Sequence, residues 1–392
     1  MQIRQLQADN HLHDVATKSD FGARIRNATV IGPPTVSMGT FAKDSEATID
    51  EIFPAQGTDT EADIEMIDPR DSKPPLSTKS KIPRQFIALV LESGDIIILF
   101  ARQGSNGNIE FISSRHTVAR SMMIEQPGRH LVVDPTSRFM AVACFEGIFA
   151  VYRLHTSDNL QQHFSEGNFR PIEAERYFRV NGVIHKMEFL HPSPGDINHV
   201  ILLLLIIKDG QTRMLLYDWD ATKDLKTIQP HGKKGHPLVE ANRMPQLLIP
   251  LKVKSSFLLI SEESITWYTD ILTGLPTPVL CEVSIDPPSE LHHGIYYPLW
   301  ASWYRAPRWN QSVHDKDHIY LVREDGVIRF LEIDEDGVSG NMNVGNLDCN
   351  VGNAFACLEH HMDSADIHPK KMGDLLIAGG ETCEGGLYLV RL

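Results

Sequence analysis

The chain has 392 residues, 42% of them hydrophobic, which is enough for a sizeable core and excludes disorder of the whole chain. Lys plus Arg number 37 against 51 Asp plus Glu, a formal charge of −14. A duplex-DNA binder neutralises phosphates with Lys and Arg, so this balance argues against one.

The opening residues, MQIRQLQADNHLHDV, lack the apolar stretch of a signal peptide. Residues 20–35, DFGARIRNATVIGPPT, supply one strand or two. The charge then concentrates. Residues 44–71 hold ten acids against one base, Arg70, a local charge of −9. The Pro, Ser and Lys stretch DSKPPLSTKSKIPR follows. Scattered apolar residues in so charged a segment bury too little surface to offset chain entropy. The expected division is therefore a partial first blade in 1–43, a disordered acidic insertion in 44–82 and the main fold in 83–392. The insertion is either a solvated loop or an acidic docking segment.

From Phe86 onward a unit repeats: two apolar, β-branched-rich runs around a short polar or glycine turn, the signature of a hairpin. Its instances are FIALVLESGDIIILF (86–100), FMAVACFEGIFAVYRL (139–154), HVILLLLIIKDGQTRMLLYDWD (199–220), SSFLLISEESITWYTD (255–270), HIYLVREDGVIRFLEID (318–334) and DLLIAGGETCEGGLYLVRL (374–392). Their turns at Gly94, Gly147, Gly210, Glu263, Gly326 and Gly385 are 53, 63, 53, 63 and 59 residues apart. A regular period in this range marks a repeat architecture. Each unit has room for its hairpin and two weaker flanking strands, the four-stranded blade of a β-propeller. Helical spacing is almost absent, apart from a weak window near the N-terminus. The fold class read from these patterns is all-β, a β-propeller of four-stranded antiparallel blades. Either it has six blades, or the chain starts inside one.

Two details sharpen that reading. Asp209-Gly210, Asp325-Gly326 and Glu146-Gly147 place glycine where a tight hairpin requires positive φ. Val200–Ile207 is apolar at consecutive positions, which means burial on both faces. The same run is far shorter than the ~20 residues of a membrane span, and a soluble intracellular protein is expected.

Sites of chemistry are few. Five cysteines, Cys144, Cys281, Cys349, Cys357 and Cys383, form no C-x-x-C pair, which fits reduced thiols in the cytosol or nucleus. Cys349, Cys357, His360 and His361 cluster, but seven residues separate the two cysteines, too many for a zinc clasp. HDKDH (His314 to His318) lacks the glutamate and the helix of a metalloprotease; a solvated loop suits it better. A propeller enzyme using His314, Asp315 and His318 is a remote alternative. GKKGH (232–236) lacks the order of a phosphate loop and reads as a surface connection, and Asp334, Asp336 and Gly337 lack the later ligands of a calcium loop. No metal, cofactor, small-molecule substrate or catalytic group is expected.

The segment YYPLWASWYRAPRWN (296–310) holds three of the five tryptophans. Trp300, Trp303, Tyr304, Arg305, Arg308 and Trp309 are of the types enriched at interface hot spots, and they form the candidate partner-contact set. Base stacking uses the same types, which keeps direct nucleic-acid binding as the alternative function. The plain structural reading is a core strand with Leu299, Ala301 and Trp303 facing inward.

Residues 129–154, RHLVVDPTSRFMAVACFEGIFAVYRL, together with LLISEESITWY, VREDGVIRFLEI and LLIAGGETCEGGLYLVRL in that order, resemble one family. It comprises the large subunits of the damaged-DNA-binding complex and of the cleavage and polyadenylation specificity factor, the splicing factor 3b propeller subunit and a fungal methyl-methanesulfonate-sensitivity-type adaptor. The resemblance implies the first, seven-bladed propeller of that family, with residue 1 falling inside blade one and the second and third propellers absent. It implies a non-enzymatic scaffold in the nucleus whose partners are protein subunits of a multi-subunit complex, for DNA repair and ubiquitination or for pre-mRNA processing. Nucleic acid would be reached only through that complex, and membranes not at all.

Overall fold

Every long apolar run of the sequence becomes the central hairpin of a sheet. The computed structural model describes residues 2–6, 12–18, 20–32, 86–103, 109–118, 128–144, 146–193, 195–238, 245–261, 264–273, 277–281, 299–305, 316–346, 351–358, 374–379 and 387–391. The acidic 44–82 segment lies outside them. The chain divides into two compact units, Met1–Cys144 with Ile148–Phe178, and Phe145–Gly147 with Arg179–Leu392.

The first unit opens with a hairpin of β1 (Gln2–Leu6) and β2 (Leu12–Thr17), so the weak helical window near the N-terminus is strand. Next comes an antiparallel sheet of β3 (Ile25–Ile31), β4 (Phe86–Leu91), β5 (Ile96–Gln103) and β6 (Ile109–His116). A second follows, of β7 (His130–Val133), β8 (Phe139–Ala143), β9 (Ile148–Leu154) and β10 (Ile172–Arg179), with helix α1 (Ser157–Ser165) between its last two strands. Ile31 pairs with Phe86, so the 32–85 connection that contains the acidic stretch begins and ends at one ladder pair. Closing such a loop costs little extra as it lengthens, about 0.6 kcal/mol per doubling, which makes this a tolerant place for an insertion.

The second unit carries three four-stranded sheets. They are β11 (Val183–Phe189), β12 (His199–Lys208), β13 (Gln211–Asp220) and β14 (Gln229–Pro237); β15 (Leu247–Pro250), β16 (Phe257–Ile260), β17 (Ile265–Thr269) and β18 (Thr277–Cys281); and β19 (Trp300–Arg305), β20 (Asp317–Arg323), β21 (Val327–Asp334) and β22 (Gly337–Asn346). A three-stranded sheet of β23 (Val351–Leu358), β24 (Asp374–Gly379) and β25 (Leu387–Arg391) ends the chain. Every sheet is an antiparallel meander, and all six expected hairpins are found in register. First strands neighbour first strands: β3 lies beside β7, and β11, β15, β19 and β23 follow one another. Such stacking of meanders, first strand beside first strand, is the β-propeller arrangement.

Stacking explains the uninterrupted apolar runs. Residues 200–206 of β12 are all buried, as burial on both faces requires. In the first unit Phe86, Val90, Ile98, Phe100, Met140, Val142 and Tyr152 form one core spanning both sheets. Phe164 and Phe169 from the α1 segment close it, Phe169 stacking on Phe86 with ring centroids 5.9 Å apart. In the second unit, Ile249, Leu258, Trp267, Trp300, Leu321 and Leu331 join the sheets of β15–β18 and β19–β22. The turns behave as their sequences require: Asp209 and Gly210 both adopt positive φ, 52° and 72°, as a two-residue hairpin turn demands.

The DPTSR turn between β7 and β8 is a polar knot. Buried Asp134 accepts hydrogen bonds from the Thr136 amide (3.1 Å), the Thr136 hydroxyl (2.8 Å) and the Arg138 amide (3.3 Å). Ser137, at φ 57°, turns its hydroxyl to the Gly32 carbonyl at 2.8 Å, tying the end of β3 to this turn. Burial outweighs those bonds and pushes the Asp134 carboxyl from 3.8 up to about 6. A raised carboxyl binds more protons folded than unfolded between those two values, so stability falls as pH rises from about 4 to about 6. At about 1.4 kcal/mol per pKa unit the fall is about 3 kcal/mol. Urea titrations of the native protein and Asp134→Asn across this range are expected to diverge by that slope; parallel curves would remove Asp134 as the source.

Candidate partner-contact segment

The aromatic segment is anchored by β19, and its side chains divide between interior and surface. Strict alternation would put Trp300 and Trp303 on opposite faces. The β19–β20 register shifts between Trp300 and Ser302, leaving Ala301 unpaired. This bulge brings both indoles onto the same core, Trp300 at 3% exposure and Trp303 partly buried. The inward set expected from alternation, Leu299, Ala301 and Trp303, is therefore corrected: Leu299 is exposed and Trp300 is the buried anchor.

Trp300 is held on two sides. Its amide donates to the Gln246 side chain at 2.7 Å, and the Arg323 guanidinium lies 5.6 Å from the ring centre. Arg323 is fixed in turn by a two-pronged bond to Asp325, at 2.7 and 2.8 Å. Such a bidentate pair fixes the cation over the indole.

Arg305 also points inward. Its guanidinium pairs with Asp317 on β20 and donates to the Pro250 carbonyl at the end of β15. Asp317 is 1% exposed, and it also accepts the amides of Lys252 (2.7 Å) and Val253 (3.1 Å). One buried carboxylate thus joins two neighbouring sheets. The turn it holds is strained, with Lys254 and Ser255 at φ 52° and 48°. Lys254 reaches the Glu335 carbonyl at 2.7 Å, and the Trp267 indole N–H donates to Ser256 at 2.8 Å.

Tyr304 sits opposite Tyr320 in the ladder. Arg308 and Trp309 lie outside the described residues, as do Tyr296 and Tyr297. The structure therefore places Trp300 and Arg305 inside the fold and Trp303 at its margin.

The remaining motifs resolve as local structure. His318, on β20, contacts Glu332 at 3.2 Å, and Lys316 donates to the same carboxylate at 2.6 Å, which holds it below the usual carboxylate range. His314 and Asp315 are outside the described residues. GKKGH is not a plain surface connection, because residues 229–237 form β14, paired with β13 through a four-residue excursion opposite Leu215. Pro230 and Pro237 are tolerated because this is an edge strand. Asp334 accepts the Asp336 amide at 3.0 Å in a tight turn. Cys357 lies on β23, while Cys349, His360 and His361 are outside the described residues. Sequence reasoning missed Asp317 and Gln246, whose partners are distant in the chain. A lone aspartate heading an apolar strand, DHIYLV, was the available signal for the first.

A comparison with curated proteins finds no match. A family model does match, the RSE1/DDB1/CPSF1 first beta-propeller, over residues 1–392. With five four-stranded meanders among the described residues and a match over residues 1–392, the chain belongs to the RSE1/DDB1/CPSF1 first β-propeller family.

Proposed function

We propose that this propeller is a non-catalytic protein-interaction scaffold of a nuclear multi-subunit complex, serving DNA repair as part of a cullin ubiquitin-ligase adaptor or serving pre-mRNA processing. The family match over residues 1–392 carries this reading, since the family is one of propeller scaffolds. The site geometry supports it: Arg305 and Asp317 are engaged in joining two sheets, and Arg323 and Asp325 in holding Trp300. Partner contact then rests on Trp303, Tyr304, Arg308 and Trp309 of the candidate set, around an anchor made by Trp300 and Arg305.

Affinity purification of the tagged chain from nuclear extract, read by mass spectrometry, tests the proposal. Cullin and substrate-receptor proteins are expected for one branch, and splicing or polyadenylation subunits for the other. Recovery of neither set, with tight binding of purified protein to nucleic acid instead, would replace the scaffold with a direct nucleic-acid binder.

A further inference from the structure

The outermost strand of a sheet offers unpaired amides and carbonyls to any extended chain, and proteins blunt such edges with charge, proline or shortness. Four outer strands here do so. β6 carries Glu110, Arg115 and His116; β10, IEAERYFR, is half charged; β14 carries two prolines and two lysines; β18 is five residues long and contains Pro278. β22 differs. Its ten residues, GVSGNMNVGN, include no charge and no proline, and no described strand pairs with its outer edge. Asn341, Met342 and Asn343 are exposed, Met342 at 49%.

We propose that β22 is a self-docking edge, at which two copies of this chain pair antiparallel about a two-fold axis through Met342. The sequence suits that axis. Met342 would face its own copy, and each Asn341 would face the other copy's Asn343. Opposed amides can hydrogen-bond across strands, and opposed methionines bury each other's exposed surface. In a chain of net charge −14, this neutral strand sets no like charges against one another across that axis. Two bulges limit the contact: Ser339 and Val344 are skipped in the β21–β22 register, leaving Gly340–Asn343 as the regular stretch. Gly340 sits close against the neighbouring strand there, where an added Cβ would lie 3.1 Å from the Glu332 Cβ. An interface so short falls below the ~1,200 Å² of stable complexes, so the pairing is weak.

Sedimentation equilibrium of the whole chain from about 1 to 100 μM, where weak association registers, is expected to show a reversible dimer. Met342→Lys sets two cations face to face and should weaken the dimer at least about tenfold, while Met342→Leu keeps it. Thermal melts of both should match the native protein, because the side chain is exposed. Under mild oxidation Met342→Cys should yield a covalent dimer. The matched Ser339→Cys should not, because its copies stand six positions apart in this register. A monomer throughout the concentration range, an unaltered dimer in Met342→Lys, or equal cross-linking at both positions would each overturn the proposal. So would cross-linking of Met342→Cys to another protein alone in extract. These outcomes do not depend on the scaffold reading, which stands or falls on its own purification.

Discussion

Replacing Asp317 with alanine is expected to cost about 3–5 kcal/mol of stability, the cost of leaving a buried cation without its partner. The Arg305 guanidinium, its side chain 18% exposed, is paired with this carboxylate, which is itself only 1% exposed. The loss reaches further than one ion pair, because the same carboxylate caps the Lys252 and Val253 amides. Those bonds help hold two consecutive residues at positive φ, a conformation that costs of order 1–3 kcal/mol each for non-glycine residues. Arg305→Ala should destabilise as well, though it leaves the carboxylate its two amide donors. The double variant is expected to lose clearly less than the sum of the singles, since the penalty of each single is an orphaned partner. Urea unfolding of all four proteins reads this. Additive losses would mean that Arg305 and Asp317 act separately, and that their ion pair adds nothing to the joining of the two sheets.

What the sequence revealed follows from burial. Central hairpins are buried on both faces, so β12 and its counterparts are written as long β-branched runs that read as strands without ambiguity. Outer strands are half solvated and adapt to one neighbour only. β10, IEAERYFR, and β22, GVSGNMNVGN, carry almost no apolar signal, and β14 resembles a loop because an edge tolerates proline and lysine. α1, SDNLQQHFS, was also illegible, for only Leu160 and Phe164 anchor it to the core. At the candidate site the residue types were legible and their directions were not. A single bulged residue, Ala301, reverses the parity of β19 and sends Trp300 inward beside Trp303. Arg305 looked like a contact residue because its partner, Asp317, and the Pro250 carbonyl come from other strands. Long-range pairing of that kind leaves no local pattern to read.

Gly147→Ala is expected to lose about 3 kcal/mol, and the comparison with Gly167→Ala separates its two causes. Both glycines have positive φ, 79° and 74°, so both replacements incur the left-handed penalty of about 1–2 kcal/mol. Around Gly167 a new methyl meets nothing within 4 Å, and that penalty is the whole effect. At Gly147 the methyl would stand 2.4 Å from the Gly182 carbonyl oxygen and 2.7 Å from that of Val180. Neither oxygen moves freely: the Val180 amide already donates to the Gly147 carbonyl at 2.8 Å, and Gly182 is itself at φ 148°. Crowding backbone against backbone adds a further 1–3 kcal/mol or so, because no side chain can rotate away. The Glu146-Gly147 turn is therefore glycine for two reasons, hairpin geometry and close approach of the 180–182 segment, and the sequence signalled only the first. Chemical unfolding of the two variants against the native protein measures the difference. Equal losses at both positions would show that the 180–182 backbone yields, and would remove close approach as a reason for glycine at 147.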